Sequence, residues 1–379
     1  MERLTLAPRS DWVKKVEELG LIYHHTANNV YWDESAYYAF TSRDIDKLEA
    51  ATNELQRLCL EAGQHIIDKK RYAELGIPAS AVPMIEWSWN AEPPAIYGRF
   101  DLAYDGVGPP KMLEYNADTP TALLEASVVQ WYWMKEQFPQ ADQFNSIHER
   151  LVAKWKELRD YLTGTPLYFT HVDDQMGEDL MTATYLRDTA NEAGLATAGL
   201  LIADLGWDRD RKIFVDQASA PVTSLFKLYP WEWLVHEQFA PQMLSTYTQM
   251  QWIEPIWKML FSNKGILAIL WELFPGHPNL LKAHLGEPDG MAEFVKKPLL
   301  SREGANVTRV TTAGQLSTSG DYGEEGYVYQ AIAPIPNCGG HYPVLGCWVV
   351  DGQAAGMGIR ESDGLITDNL SRFVPHLFR

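Results

Sequence analysis

Charged side chains interrupt two strand-like runs in the stretch YGRFDLAYDGVGPPKMLEYNADTPT, which covers residues 97–121. The runs FDLAY and KMLEYN otherwise have the apolar pattern of core strands. The polar residues 105–110 between them predict an antiparallel hairpin. A carboxylate inside such a strand needs a partner, because an unpaired buried charge is costly. This hairpin therefore restricts both the fold and the chemistry of the chain more than any other segment.

Three oxygen-bearing side chains share one face of the predicted hairpin. Because side chains alternate along a strand, Glu114 and Asn116 point the same way, and Asp101 faces them from the partner strand. These oxygens suit a hard cation such as Mg²⁺, which fills its other positions with water and substrate phosphates. Arg99 lies on the same face and is placed to hold a phosphoryl group. The alternative is a structural network of ion pairs between Arg99 and the carboxylates.

Basic residues that could complete a phosphate site occur much later in the chain. The sequence has no Walker A motif, which excludes a P-loop. In VKKPLLSREGANV (295–307), Lys297 follows a strand and precedes a loop that carries Arg302 and Gly304. Backbone N–H groups of such a loop can cradle phosphates, and glycine permits close approach. The same pattern also fits an ordinary hairpin turn, so both interpretations stay open.

Composition narrows the class of protein that carries these motifs. The chain has 379 residues, 46% of them hydrophobic, which is enough for a large core divided into two or three lobes. A formal net charge of −18 without a Lys/Arg-rich run excludes a nucleic-acid surface. The sequence has no run of about 18 apolar residues and no apolar signal segment, so we expect no membrane span and a cytoplasmic location.

The patterns along the chain predict a mixed α/β fold with antiparallel strands at both ends. Helices are predicted from apolar spacing or start signals at 44–67, 120–138, 178–193 and 252–274. Strands are predicted at 166–172, 197–203, 222–229, 293–300 and 326–333, and a hairpin turns at Asp351-Gly352. The order of elements from 166 to 229 indicates a βαβ-like unit.

Four motifs together resemble the glutathionylspermidine synthetase-type family, and more closely its stand-alone bacterial relatives, which are described as acid–amine ligases. The motifs are RFDLAYD…KMLEYNADTPT, SNKGILAILWELFPGHPNLL (262–281), VKKPLLSREGANV and GMGIRES (356–362). They follow the family's order and approximate spacing, from about residue 10 to the C-terminus. The family's separate amidase domain is not expected in this chain.

The resemblance implies an α+β fold of the ATP-grasp type. The nucleotide would lie between two α+β lobes, with a central βαβ-like substrate lobe beside them. The chain would form one synthetase region, 1–379, with sub-lobes at about 1–160, 161–250 and 251–379.

The resemblance also implies roles for individual side chains. Two magnesium ions would be held by Asp101, Glu114 and Asn116. Catalytic roles would fall to Arg99, Lys297 and Arg302. The ATP-binding set would be Lys264, Lys297, Arg302, Gln330, Ala331, Ile332, Ala333, Leu365, Ile366 and Thr367. The substrate set would be Thr119, Thr121, Glu178 and Arg360.

The implied reaction is ATP-dependent ligation of a small-molecule or peptide carboxylic acid to an amine through an acyl phosphate. Mg²⁺ and the three catalytic residues would stabilise the charge on the transferred phosphoryl group. The loop 301–306 is the candidate lid that would exclude water.

Three departures from the family pattern affect the predicted substrates. Arg372 aligns with a carboxylate of the family's polyamine site, and a cation there would repel a polyamine. The segment Lys227–Leu228 lacks a threonine of the glutathione site, and Val344 replaces a glutamine of the nucleotide site. We therefore expect a reaction other than glutathione with spermidine, and we expect Arg372 to face the amine pocket.

Two other functions stay open from the sequence. A nucleotide-binding relative with only weak ATPase activity would keep the same residues. A carbohydrate-active hydrolase could use Asp101 and Glu114 as an acid/base pair, although that chemistry does not explain the lysines and Arg302.

Two further motifs have a structural and a functional interpretation. The run DDQMGED (173–179) has the acids of a Mg²⁺-diphosphate site, but it follows a strand and fits a helix N-terminus better. The segment YPWEW (229–233) could stack a ring of a ligand, but the burial preference of aromatic residues favours core packing.

Overall fold

A mixed α/β fold with three larger sheets is seen in a computed structural model that describes residues 1–26, 29–174, 176–368 and 370–379. Buried apolar side chains form two clusters, each with contributions from both halves of the chain. The mixture of helices and strands agrees with the prediction.

Two hairpins that are far apart in the chain form one antiparallel sheet, here called the central sheet. The predicted turn at Asp351-Gly352 is confirmed, since both residues have the positive φ that a two-residue hairpin turn requires. The sheet joins strands from the first and last predicted sub-lobes. Its strands, in spatial order, are Arg372–Phe373, Gln353–Ser362, Tyr342–Val350, Tyr97–Ala103 and Lys111–Asn116.

A parallel sheet, here called the middle sheet, contains the predicted βαβ unit. Its strands, in spatial order, are Gln251–Ile253, Ser224–Leu228, Leu167–His171 and Thr197–Leu201. The chain passes from Leu167–His171 through a helix to the strand on one side, and later crosses to Ser224–Leu228 on the other side. The carboxyl ends of Leu167–His171 and Ser224–Leu228 therefore flank a topological switch point, where ligands bind in open α/β sheets.

A second antiparallel sheet, here called the lid sheet, carries the predicted phosphate-binding lysine and glycine loop. Its strands, in spatial order, are Ala283–Leu285, Tyr327–Gln330, Phe294–Pro298, Thr308–Thr311 and Gly314–Ser317. The loop 301–306 lies between the third and fourth of these strands.

The remaining strands form small sheets, and the helices pack around the three larger ones. The small strands are Glu2–Thr5, Ala36–Phe40 and His376–Phe378 in one sheet, with the pairs His25–Thr26 and Asn29–Val30, and Gly206–Asp208 and Ile213–Val215. The α-helices are Trp12–Glu18, Ser42–Lys69, Val82–Ala91, Gln130–Gln137, Ile147–Leu158, Glu178–Glu192, Trp231–Leu234, Ala240–Thr246, Met259–Ser262 and Ile266–Leu273. Within the described ranges, none of these helices has both the length and the apolar surface to cross a membrane.

The predicted helix 252–274 is wrong in two places. It begins as the strand Gln251–Ile253, and it is interrupted between Met259–Ser262 and Ile266–Leu273. Asn263 causes the interruption, because its side chain accepts the Gly265 N–H at 2.8 Å and donates to the Leu75 carbonyl at 2.7 Å. Lys264 therefore lies in a break of the helix, where its side chain can reach the neighbouring sheets.

The predicted helix 120–138 starts later than the proline suggests. Ala122 has a φ of 63°, which is outside the helical region, and a π-helical turn, Glu125–Val129, precedes Gln130–Gln137. The buried Glu125 carboxyl accepts the Tyr31 hydroxyl at 2.7 Å, and burial raises its pKa to about 7.

A buried ion pair connects the middle sheet to the end of the first hairpin. Lys227, fully buried in Ser224–Leu228, pairs with Asp118, whose other oxygen accepts the Trp231 N–H at 2.9 Å. Burial lowers the pKa of Lys227, and the Asp118 charge opposes that shift. Because Asp118 immediately precedes Thr119, this pair fixes the predicted substrate segment against the middle sheet.

We expect Lys227→Ala to destabilise the protein strongly. Removing one partner of a buried pair leaves an uncompensated charge, which typically lowers the free energy of unfolding by about 3–5 kcal/mol. Urea denaturation followed by circular dichroism measures the change. The double variant Lys227→Met/Asp118→Asn, which removes both charges, should recover part of the loss. An unchanged midpoint for Lys227→Ala would show that the pair does not hold this segment.

Candidate functional site

A cavity of about 370 Å³ lies between the central, middle and lid sheets. Every member of the predicted metal, nucleotide, catalytic and substrate sets lines it. These residues are Arg99, Asp101, Glu114, Asn116, Thr119, Thr121, Glu178, Lys264, Lys297, Arg302, Gln330, Ala331, Ile332, Ala333, Arg360, Leu365, Ile366 and Thr367. The fold thus brings together residues spread over most of the chain, while their individual roles stay predictions.

The hairpin geometry predicted from side-chain alternation is confirmed. Asp101 pairs with Glu114 and Arg99 with Asn116 across the two strands, and a bulge follows Asp101. Asn116 Nδ2 donates to Asp101 Oδ2 and to Glu114 Oε1, each at 3.2 Å. The three oxygen-bearing side chains therefore meet on the face that lines the cavity.

Cations neutralise both carboxylates of this hairpin. Arg99 donates to both oxygens of Asp101, at 2.7 and 3.1 Å, and to the Thr121 carbonyl at 2.7 Å. Lys264 Nζ lies 3.0 Å from Glu114 Oε2. The ion-pair network that the sequence left open is thus present, and it lines the cavity instead of being closed inside the core.

The two carboxylates differ in their pKa shifts. Burial raises the pKa of Asp101, and the adjacent Arg99 guanidinium offsets only part of this effect. Burial alone would also raise the pKa of Glu114. The positive charges of Lys264 and Lys297 outweigh this effect and hold the pKa of Glu114 well below its usual range. Glu114 is therefore ionised at any physiological pH.

The residues of this hairpin fit a magnesium ion. The described part of the chain has no cluster of three or more His, Cys, Asp or Glu side chains arranged for a metal, so the protein ligands would be two carboxylates and an amide oxygen. That set is what Mg²⁺ takes when substrate phosphates and water complete its shell. The Asn116 amide, whose nitrogen faces the carboxylates here, would present its oxygen after a flip of the amide.

Two buried lysines face the hairpin from the opposite side of the cavity. Lys297 Nζ donates to Gln330 Oε1 at 2.7 Å and to the Leu113 carbonyl at 2.9 Å, and Lys264 Nζ donates to the Ser301 carbonyl at 2.5 Å. Burial lowers the pKa of Lys297 to about 8, with Glu114 opposing the shift. The two oxygens that accept from Lys297, the Leu113 carbonyl and Gln330 Oε1, are uncharged. An anionic ligand would therefore be a stronger partner for this lysine.

The loop 301–306 lies over the cavity. Arg302 donates to Thr119 Oγ1 at 2.9 Å and lies 3.4 Å from Glu232 Oε1. Gly304 has a φ of +67°, and a Cβ atom on it would lie 2.2 Å from the Thr367 carbonyl oxygen. The glycine therefore allows this loop to close directly against the segment 365–367.

We expect Gly304→Ala to prevent the loop from closing. A methyl group 2.2 Å from the Thr367 carbonyl oxygen must displace either the loop 301–306 or the segment 365–367. A lid that stays open should lower turnover by about tenfold or more. Phosphate release from Mg·ATP measures the effect. Gly276→Ala is the matched control, because Gly276 also has a positive φ, +79°, but a Cβ there meets nothing within 4 Å. Equal activity of the two variants would contradict the lid.

Two acids line the end of the cavity that belongs to the middle sheet. Glu178 and Asp179 start the helix Glu178–Glu192, so the interpretation of 173–179 as a helix N-terminus is confirmed, although residue 175 lies outside the described residues. Asp174 Oδ2 accepts the Glu178 N–H at 2.7 Å. Burial, Glu178 and Asp174 raise the pKa of Asp179 to about 7. In the sequence Asp179 is only one acid of the run 173–179, and its place in the lining of the cavity depends on the tertiary fold.

The segment 229–233 is divided between core and cavity. Trp231 is fully buried, as core packing predicts, whereas Trp233 is 40% exposed and lines the cavity with Tyr229. The core-packing interpretation is therefore wrong for Trp233. The short helix Trp231–Leu234 turns these two tryptophans in different directions.

The prediction that Arg372 faces the amine pocket is wrong. Arg372 donates to Asp363 Oδ1 at 2.6 Å and to Glu361 Oε1 at 3.2 Å, and in the described structure it is outside the lining of the cavity. The local sequence does not reveal this pairing, because Glu361 and Arg372 meet across neighbouring strands of the central sheet. Arg372 instead fixes the base of the loop that carries 365–367.

Comparison with known families defines the class of protein. The family described as glutathionylspermidine synthase preATP-grasp matches residues 3–379. The chain therefore belongs to this family, and the membership predicted from its motifs is confirmed.

Individual relatives agree with this membership. A Haemophilus influenzae protein described as "Putative acid--amine ligase" is 41% identical, with all of both chains covered. The bifunctional glutathionylspermidine synthetase/amidase of Escherichia coli is 27% identical over 90% of this chain, which spans 59% of that protein's length. Among solved structures, a glutathione synthetase-like effector from Globodera pallida superposes with a TM-score of 0.58 at 10% identity, covering 98% of each chain, which supports the fold alone.

Proposed function

We propose that this protein is an ATP-dependent carboxylate–amine ligase that forms an amide through an acyl phosphate, in an ATP-grasp arrangement. The observation that carries the proposal is the convergence of two carboxylates, two buried lysines and the lid arginine in one cavity. The relatives described as ligases and synthetases support it. The substrates would be a small-molecule or peptide acid and an amine.

The lid-sheet side of the cavity would hold the nucleotide. The adenine would lie at the strand end Gln330–Ala333, with Leu365–Thr367 on its other side, and Lys264 and Lys297 would contact the phosphates. Mg²⁺, in two ions as predicted, would be held by the hairpin carboxylates and Asn116 and would draw negative charge away from the transferring phosphoryl group.

The acid would be activated at the end of the first hairpin. Its carboxylate oxygen attacks the γ-phosphorus, and the bond from phosphorus to the bridging oxygen of ADP breaks. Arg99, Lys297 and Arg302 stabilise the negative charge on the phosphoryl oxygens as this bond exchange occurs. Thr119, Thr121 and Arg360 would orient the acid, and their position in the lining of the same cavity as Arg99 and Arg302 supports this role.

The amine would enter from the middle sheet, where Glu178 and Asp179 offer negative charge. Its nitrogen attacks the acyl carbon, the C–N bond forms, and the carbon–oxygen bond to phosphate breaks. A carboxylate whose pKa is near 7, as burial and Glu178 set it for Asp179, is suited to accept the proton that the ammonium must lose.

The geometry disfavours a carbohydrate-active hydrolase. A glycosidase needs one carboxyl as a proton donor and the other free to attack or to activate water. Here Asp101 is held by Arg99 through both oxygens, and Glu114 is paired with Lys264 and ionised. Neither carboxyl is available for those roles.

Phosphate release from Mg·ATP tests the proposed function. Pools of small acids, peptides and amines are added separately and together, with Glu114→Gln as the inactive control. Release that requires both an acid and an amine is the expected result. Slow release that no pool stimulates would indicate a weak ATPase and contradict the ligase. The cytoplasmic location belongs to the same proposal.

A further inference from the structure

Two loops meet at the switch point of the middle sheet and form one end of the cavity, here called the crevice. The first follows Leu167–His171 and leads into Glu178–Glu192. The second follows Ser224–Leu228 and leads into Trp231–Leu234. Ligands bind at such carboxyl ends in open α/β sheets. The ligase reaction proposed above uses the acids at the start of the helix that follows the first loop, and none of the side chains of the second loop.

The two sides of the crevice differ in chemistry. The first loop and its helix contribute the carboxylates Glu178 and Asp179. Among the described residues, the second loop contributes only apolar and aromatic lining, from Leu228, Tyr229, Pro230 and Trp233. Its one acid, Glu232, is directed to Arg302 and does not belong to that lining. The crevice therefore has one acidic side and one apolar side.

Tyr229 and Trp233 form a rigid aromatic corner on the apolar side. Their ring centroids are 5.4 Å apart at an interplanar angle of 71°. The Tyr229 hydroxyl donates to Glu237 Oε1 at 2.6 Å, which fixes the ring, and the Arg302 guanidinium lies 5.7 Å from the centroid of the Trp233 ring. A tryptophan that stays 40% exposed in such a setting offers a large apolar contact to a ligand.

Resting on the function proposed above, we propose that the amine substrate is a monoamine with an alkyl or aryl body. Its ammonium group faces Glu178 and Asp179, and its body packs against Tyr229 and Trp233. A second ammonium group on that body would meet apolar side chains and the nearby Arg302 guanidinium. The apolar side chains disfavour the second ammonium group because it would lose its hydration, and Arg302 disfavours it by charge repulsion.

Matched amines test this proposal by calorimetry on the full chain with Mg²⁺ and a non-hydrolysable ATP analogue. Pentylamine and 1,4-diaminobutane have the same length and differ in a terminal methyl or ammonium group. We expect pentylamine to bind at least about tenfold more tightly. Trp233→Ala should weaken pentylamine binding by about tenfold, and Trp233→Phe should retain most of it. Trp87→Ala, at a 36% exposed tryptophan outside the cavity lining, is the control and should change nothing.

Three results would overturn the monoamine proposal. The first is that neither amine binds, or that 1,4-diaminobutane binds as tightly as pentylamine or more tightly. The second is unchanged pentylamine binding in Trp233→Ala. The third is an equal loss of nucleotide affinity in that variant, which would show that Trp233 only supports Arg302.

Hydroxylamine separates failure of this inference from failure of the ligase. It is small enough to capture an acyl phosphate as a hydroxamate without filling the crevice. Hydroxamate formed from a pool of acids, together with one of the overturning results, would reject the monoamine and leave the ligase intact. Absence of hydroxamate with every acid would reject the ligase itself.

Discussion

Glu114→Gln and Asp101→Asn are expected to abolish Mg²⁺-dependent ATP turnover, with a loss of at least about 100-fold in each case. Both substitutions keep the shape of the side chain and remove the negative charge that a magnesium ion and its bound phosphates require. Steady-state phosphate release at saturating ATP, repeated over a range of Mg²⁺ concentrations, measures the loss.

The two variants differ in their expected effect on folding. Glu114 has a 27% exposed side chain, so water can offset part of the charge lost from its pair with Lys264, and Glu114→Gln should lose less stability than Asp101→Asn. Asp101→Asn leaves the buried Arg99 without its counter-charge and should be less stable. Asp105→Asn, in the turn of the same hairpin, is the control for both. Full activity of Glu114→Gln at low Mg²⁺ would refute the metal assignment.

Lys297→Ala is expected to weaken ATP binding by about 10- to 100-fold, because a charge-assisted hydrogen bond to a phosphate contributes about 1.5–3 kcal/mol. Lys296 is the matched control on the same strand. It points to the opposite face, and its Nζ lies 3.8 Å from the centroid of the Tyr327 ring. Lys296→Ala should therefore bind ATP with wild-type affinity.

Calorimetry with Mg²⁺ and the non-hydrolysable analogue measures both dissociation constants. The comparison also controls for the loss of a positive charge, which is the same in the two variants. If Lys296→Ala and Lys297→Ala bind the analogue equally well, the phosphates do not lie between the lid sheet and the first hairpin.

The first hairpin could be predicted from the sequence because its information is local. Alternation along two short strands is enough to place Asp101, Glu114 and Asn116 on one face, and the structure shows their side chains within hydrogen-bond distance. The turn at Asp351-Gly352 and the helix that begins at Glu178, within the run 173–179, are local in the same sense. Each of these depends on a few adjacent residues.

The parts that could not be predicted depend on tertiary contacts. Asn263 interrupts a helix-like run because its side chain donates a hydrogen bond to the Leu75 carbonyl. The local sequence pattern does not reveal this distant partner. Trp233 and Asp179 reach the cavity only because two distant strands end side by side in the middle sheet. The position predicted for Arg372 is wrong because its acidic partners Asp363 and Glu361 become its neighbours only in the folded sheet.

Two of the buried ion pairs, Arg99 with Asp101 and Lys227 with Asp118, show that a charged residue in a core strand can have either a functional or a structural role. Both pairs satisfy a buried carboxylate. Only the first lines the cavity, whereas the second is closed off between the middle sheet and the hairpin. Residue type and spacing do not distinguish these outcomes, but exposure to a shared cavity does.

Capture of the acyl phosphate tests the central claim most directly. The enzyme is incubated with Mg·ATP, a pool of carboxylic acids and hydroxylamine, and hydroxamates are measured by mass spectrometry, with Glu114→Gln as the control. The proposed ligase predicts a hydroxamate of at least one acid that requires ATP and disappears in the variant. ATP hydrolysis by the wild type without a hydroxamate of any acid, while ADP and phosphate accumulate, would contradict it.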